Sequence, residues 1–300
     1  MNTNNQNHRT ILQSIAHRVM LERGLLPDFS SEALAELGQL QVSVITKDES
    51  AENPSGIRNM CELLWASIDN DDSRDLDQLT VVGTAPGDNT KILVAIADVD
   101  SSIKNGSALD KHARTNTTSV YTAAEIFPML PEKVSTDITS LNFNEDRLSI
   151  VIEMVIGTDG SLQESTIHRA WVRNHAKLAY NSVAAWLENN GPIPEAITSV
   201  QGLAENLQMQ DRAAQSMKNF RHTHGALSLE TIEAKPVFDG NQIRSLEIEE
   251  KNRAKEIIED FMIAVNGVTA RYLSGRKSPS IRRVVRTPKR WERIVEIAAD

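Results

Sequence analysis

Between Ser67 and Gln78 the chain reads Ser-Ile-Asp-Asn-Asp-Asp-Ser-Arg-Asp-Leu-Asp-Gln, so Asp69, Asp71, Asp72, Asp75 and Asp77 put five carboxylates into nine residues. Like charges at that density repel one another unless a cation shares them. A hard divalent ion such as magnesium prefers oxygen ligands and is usually held by one or two acids together with substrate phosphates. In an extended chain Asp75 and Asp77 point the same way, while Leu76 and Gln78 face the opposite side. Asp, Asn and Ser are also turn formers, so the residue types alone leave a solvated loop open as the alternative. A calcium loop counted from Asp69 is excluded, because it needs Gly at its sixth position and Glu at its twelfth, where Arg74 and Thr80 stand.

The acids have to be positioned by what flanks them. Apolar runs from Leu63 to Ile68 and from Leu79 to Val82 read as strands on either side. Lys91 to Val99 is a continuous apolar strand, and Ser107 to Asn116 suits a short helix. Arg147 to Gly157 and Ser161 to Arg173 flank Thr158-Asp159-Gly160, a hairpin signal in which Asp-Gly supplies the positive φ angles. Phe238-Asp239-Gly240 repeats it. Ala176 to Glu188, Ala196 to Phe220 and Asn252 to Leu273 read as helices, as do Thr10 to Gly24 and a shorter stretch opened by Ser30 and running to Leu37. The class expected is α+β, an antiparallel-rich mixed sheet with helices packed around it. Residues 1–40 read as an N-terminal helical segment, 41–56 as a linker and 57–300 as the main domain.

Three hundred residues with 40% hydrophobic content can bury a sizeable core. A single cysteine, Cys61, excludes an intramolecular disulfide, and the polar stretch from Met1 to His8 lacks a signal core, so a cytoplasmic setting is expected. No run reaches the roughly 18 apolar residues of a membrane span. The net charge of −9 is unevenly spread: nine Lys or Arg against one acid between Arg271 and Arg293 give that segment +8, leaving −17 for the remainder. Such polarity suits a polyanion partner, and a solvated basic face is the alternative. His222 and His224 flank one residue beside a Gly and read as surface rather than metal ligands.

In order along the chain, Ser67-Ile-Asp69…Arg74-Asp75-Leu76-Asp77, Val94-Ala-Ile-Ala-Asp98-Val99, Gly106-Ser-Ala-Leu-Asp110, Thr118-Ser-Val-Tyr121, Phe127-Pro-Met-Leu-Pro131 and Ser140-Leu141 are followed by Ala176-Lys-Leu-Ala-Tyr180, Gly225-Ala-Leu-Ser-Leu229-Glu230 and Ile258-Glu-Asp-Phe-Met262. Together they resemble the catalytic (RNB) domain of the ribonuclease II and ribonuclease R exoribonucleases. The resemblance implies a magnesium-dependent hydrolase that removes nucleoside 5′-monophosphates from the 3′ end of single-stranded RNA. It implies Asp69, Asp75 and Asp77 as Mg2+ ligands, Tyr121 as a base-stacking residue, and Tyr180 and Glu259 around the terminal nucleotide. Arg282, Arg283 and Arg286 in the basic segment are expected to contact RNA phosphates.

Gln78 stands where the family usually carries a fourth acid, and its amide can hydrogen-bond but adds no charge. Leu229 stands where an aromatic is often found. The family's later arginine motif lies beyond residue 300, and Trp291 to Ala298 reads as a helix without a C-cap, so the domain is expected to be incomplete, leaving apolar faces exposed around Ile257, Phe261, Ile294 and Val295. The alternative function is a catalytically weakened RNA-binding or regulatory protein of the same fold.

Overall fold

The computed structural model describes residues 8–40, 56–227, 234–248, 251–281 and 290–299. Two helices come first, α1 (His8–Glu22) and α2 (Ser31–Gln39), the second N-capped by Ser30, whose hydroxyl accepts from Ala33 N. The expected linker lies almost wholly outside the described residues. Strands β1 (Arg58–Asn59), β2 (Ala66–Asp69), β3 (Gln78–Gly83) and β4 (Thr90–Ala97) follow. Helix α3 (Ala108–Asn116) is capped by Ser107, and a small ladder of β5 (Val120–Tyr121) and β6 (Ile126–Phe127) succeeds it. The long hairpin β7 (Asp146–Ile156) and β8 (Leu162–Arg173) leads into β9 (Ala176–Ala179), then α4 (Tyr180–Leu187), α5 (Glu195–Thr198) and α6 (Leu203–Thr223). A second hairpin, β10 (Ala234–Asp239) and β11 (Gln242–Ile248), precedes α7 (Arg253–Gly275) and α8 (Trp291–Ala299).

Seven strands form one sheet in the order β1-β8-β7-β4-β3-β2-β9. Its four inner pairings, β8 with β7, β7 with β4, β4 with β3 and β3 with β2, are antiparallel, while the edge strands β1 and β9 are added in parallel. This is the mixed, antiparallel-rich sheet expected. On one face Ile92, Val94, Ile152, Met154 and Ile156 pack against Ala213, Met217, Ile257, Phe261 and Val265 of α6 and α7. On the other, Leu76, Leu79, Val81, Leu93, Ala95 and Val151 close over Trp65 and Leu141. Among the described residues no helix is long and apolar enough to cross a membrane.

Several expectations are corrected. Ala176–Ala179 is strand rather than helix: Ala176 and Leu178 are buried, Lys177 is exposed, and the four residues complete the sheet beside β2 before the helix starts at Tyr180. The long helix expected over 196–220 is broken at Gly202, whose φ of +82 separates α5 from α6. In the β7–β8 turn only Gly160 takes a positive φ, +85, whereas positive angles were expected at both Asp159 and Gly160. A Cβ on Gly160 would stand 2.1 Å from Ser216 O, because the hairpin tip is pressed against α6. Ile257 and Phe261, expected at an open face, are 1% and 0% exposed in the core, whereas Ile294 and Val295 are exposed as anticipated.

The N-terminal helices are tied to the sheet domain. Asn116, at the end of α3, clamps the backbone of Leu26, accepting from its N at 2.8 Å and donating to its O at 2.9 Å. Glu36 of α2 accepts from Ala108 N and Leu109 N, satisfying the first turn of α3. His112 lies against the Phe29 ring, 4.1 Å between centroids.

Candidate active site

Asp69 ends β2, and Asp75 and Asp77 lie in the loop that climbs into β3. Exposure alternates through the loop, Asp75 and Asp77 exposed and Leu76 and Gln78 buried, but the two buried residues face opposite sides of the sheet rather than the same one, Leu76 packing with Leu79 and Val81. Asp69 is held by local bonds, its Oδ1 accepting from Asn70 N at 2.7 Å and from Ser73 Oγ at 2.9 Å. The loop is anchored from behind. Leu76 N donates to Ser140 Oγ, Leu141 N donates to Leu76 O, and Ala97 N donates to Asp77 O.

The carboxylates act on one another. Asp77 keeps a solvent-exposed edge, yet surrounding protein strips enough water from it to raise its pKa to about 6, with the charges of Asp69 and then Asp75 adding to the shift. Among the described residues no Lys, Arg or His forms an ion pair with Asp69, Asp75 or Asp77. Arg74, the one base within the loop, reaches Glu132 instead, at 3.7 Å. Also among the described residues, no three His, Cys, Asp or Glu side chains converge closely enough to hold a metal ion. The chemistry of the donor set nevertheless fits a hard divalent cation: three carboxylates in mutual repulsion, without a protein counter-charge.

Tyr121 stands near them, largely exposed on the β5–β6 ladder. Its hydroxyl pKa is raised by partial burial first and then by Asp75, Asp77 and Asp69, which places the phenol in the field of all three acids. Tyr180 follows Ala179, the residue paired with Asp69 across β2 and β9, and its ring lies 6.0 Å from Lys255 Nζ. Two of the expected nucleotide-contacting residues are therefore brought to the same end of the sheet as the acids. Glu259 is exposed on α7 and pairs with Lys251 at 3.7 Å rather than with the acidic loop. Gln78 stands apart. By strand alternation it shares the face of Thr80 and Val82, and Val82 packs against the helices. Leu229, Arg282, Arg283 and Arg286 lie outside the described residues.

Sequence reasoning named Ser140 and Leu141 as part of a motif without giving them a task, and it passed over Asn174. Ser140 and Leu141 bond the backbone of Leu76 in the acidic loop, and Asn174 donates to Leu141 O and to Ser67 Oγ. Their signal lay in contacts across the chain, which spacing does not carry.

The RNB domain profile matches residues 57–298. The chain belongs to the RNB domain family. It is 33% identical over 254 residues to ribonuclease R of Vibrio parahaemolyticus, covering 84% of this chain and 30% of that protein. Against ribonuclease R of Escherichia coli it is 31% identical over 245 residues, covering 81% and 30%. The chain thus spans about a third of the length of these curated relatives. Among solved structures, Mycoplasma genitalium RNase R in complex with double-stranded RNA superposes with a TM-score of 0.84 at 22% identity, over 99% of this chain and 51% of that one. Yeast Ssd1, described as a pseudonuclease, superposes with a TM-score of 0.57 at 15% identity, over 76% and 27%. At those identities the likeness is one of fold.

Proposed function

We propose that this RNB domain is the catalytic part of a magnesium-dependent 3′-5′ exoribonuclease that acts on single-stranded RNA and releases nucleoside 5′-monophosphates. The observation that carries the reading is the set of three uncompensated carboxylates, Asp69, Asp75 and Asp77, with Asp77 pushed toward neutrality by burial first and by the charges of the other two in addition. These three would hold Mg2+, which when bound supplies charge stabilisation and an activated water for an in-line displacement at phosphorus.

The chain's own residues do the rest. Tyr121 offers an exposed ring on which a base stacks beside the acids, and Tyr180 closes the end of β9 next to Asp69. The basic stretch containing Arg282, Arg283 and Arg286 attracts the RNA backbone without regard to sequence. Residues 1–40, which include α1 and α2, would be an attachment joined to the domain through 41–56, in a cytoplasmic setting.

The buried Gln78, turned toward the helices rather than toward the acids, favours a second reading: an RNA-binding protein of this fold with weakened metal affinity. Incubating end-labelled single-stranded RNA with the protein and Mg2+ separates the two. A ladder of products shortened from the 3′ end that disappears in Asp77→Asn supports the enzyme. Retention of RNA without shortening supports the binder. Cleavage unchanged in Asp77→Asn would remove the metal assignment.

A further inference from the structure

Asp69 belongs to a strand and Asp75 and Asp77 to the loop after it, so any shared ligand requires the two halves to be held at a fixed separation. A buried run of hydrogen bonds joins them through residues distant in sequence. Ser67, two positions before Asp69 on the same face of β2, accepts from Asn174 Nδ2 at 3.0 Å. The same amide donates to Leu141 O at 3.0 Å, and Leu141 N donates to Leu76 O at 2.8 Å. Beside it Ser140 Oγ accepts from Leu76 N at 3.1 Å, and its single proton goes to Arg74 O or Asn142 Oδ1. Asn174 Oδ1 accepts from Ala176 N, the first residue of β9. Ser67, Ser140 and Asn174 are each 1% exposed.

We infer that Ser140 and Asn174 are positioning residues that set the spacing between Asp69 and the pair Asp75/Asp77. The inference rests on reading these acids as a metal-holding set. Polar side chains buried this deeply are costly unless every group is satisfied, and satisfied networks specify one arrangement where apolar packing tolerates several. The apolar cluster around Trp65, Leu79 and Val151 already holds the sheet together on this side. The network adds register instead: Leu76, the residue between Asp75 and Asp77, is bonded at both its N–H and its C=O to consecutive residues 140 and 141.

The test uses the full chain in two arms. In the first, amide hydrogen exchange is followed without divalent ions for the wild type, Ser140→Ala, Asn174→Ala and Thr139→Val. Thr139 is a neighbouring buried hydroxyl bonded to Val134 O, away from the acids, and serves as the control. In Ser140→Ala the Leu76 amide is expected to exchange at least about tenfold faster, since a buried donor loses its acceptor, with β4 and β7 amides unchanged. Thr139→Val leaves Leu76 unchanged. In the second arm Mn2+ binding is measured by electron paramagnetic resonance, and Ser140→Ala is expected to bind about tenfold more weakly. Unaltered Leu76 exchange, an equal acceleration across β4 and β7, or undiminished Mn2+ affinity in Ser140→Ala would overturn the inference. Should Asn174→Ala fail to fold, Ser140→Ala decides alone. A wild type that binds no Mn2+ overturns the metal reading of the acids, a failure distinct from that of the network, which the exchange arm reads without metal.

Discussion

Two regions of this molecule treat charge in opposite ways. Where α6 crosses α7, Arg253 pairs with Asp211 at 2.6 Å, Lys218 with Glu256 at 2.7 Å and Arg221 with Asp260 at 2.5 Å, so each acid in the interface has its base. Around the β2–β3 connection, Asp69, Asp75 and Asp77 form no ion pair with any described Lys, Arg or His, and the loop's own Arg74 reaches Glu132 instead. The first arrangement is what folding demands, because an unpaired charge in a packed interface is expensive. The second brings no stability of its own. The same chain pairs Asp98 with Arg169 and Asp146 with Arg173, and the contrast with Asp75 and Asp77 is what the proposed metal-holding role would explain.

The sharpest way to break the contrast is Arg221→Met. Asp260 is 3% exposed, and removing its partner is expected to cost about 3–5 kcal/mol, measured by urea or thermal unfolding. Burial already raises the Asp260 pKa against the opposing pull of Arg221. A carboxyl with a raised folded pKa contributes stability that is fully present below its unfolded value and lost as pH rises through the folded one. The variant's deficit should therefore shrink on acidification toward pH 4 and widen toward pH 7.

A comparison free of charge comes next. Gly160→Ala places a methyl against Ser216 O in a left-handed backbone, and a loss of about 1–3 kcal/mol is expected, with RNA cleavage at low temperature unaffected. If cleavage falls in parallel, the hairpin tip has a part in the site.

In the acidic loop the sign reverses. With metal chelated, Asp77→Asn should melt at or above the wild-type temperature. The folded pKa near 6 exceeds the ordinary 3.8, so the wild type's stability from this group drains away as pH rises from about 4 to about 6, and the variant's advantage opens over that window. Adding Mg2+ should close it by stabilising the wild type alone. An Asp77→Asn protein that is less stable than wild type in chelator would mean that the carboxylate is a structural group. The smallest effect belongs to Lys251→Ala, which breaks the half-exposed pair with Glu259 and should change stability by no more than about 0.5 kcal/mol.

Much of this contrast was legible before any coordinates. The density of Asp between two apolar runs, the alternating exposure from Asp75 to Gln78 and the long hairpin at Gly160 follow from local chemistry, and the structure keeps them. Edge strand β9 escaped because Ala-Lys-Leu-Ala suits a helix as readily as a strand, and only the exposed edge of β2 decides between them. Gly202 escaped because one glycine inside a helical pattern costs little locally. The supports of the loop were invisible for a plainer reason: Leu76 and Ser140 lie 64 residues apart, and Ser67 and Asn174 lie 107 apart.

That edge strand also sets a clock. Asp69 stands on a strand whose partner along its whole length, Ala176–Ala179, is made 110 residues later. At a synthesis rate of roughly 5–20 residues per second, the β2 segment waits about 5–20 s on the ribosome before its neighbour exists. Strands β7 and β8 are made within the same interval, so the edge of β2 that β9 covers stays open until the last of the seven strands has been synthesised.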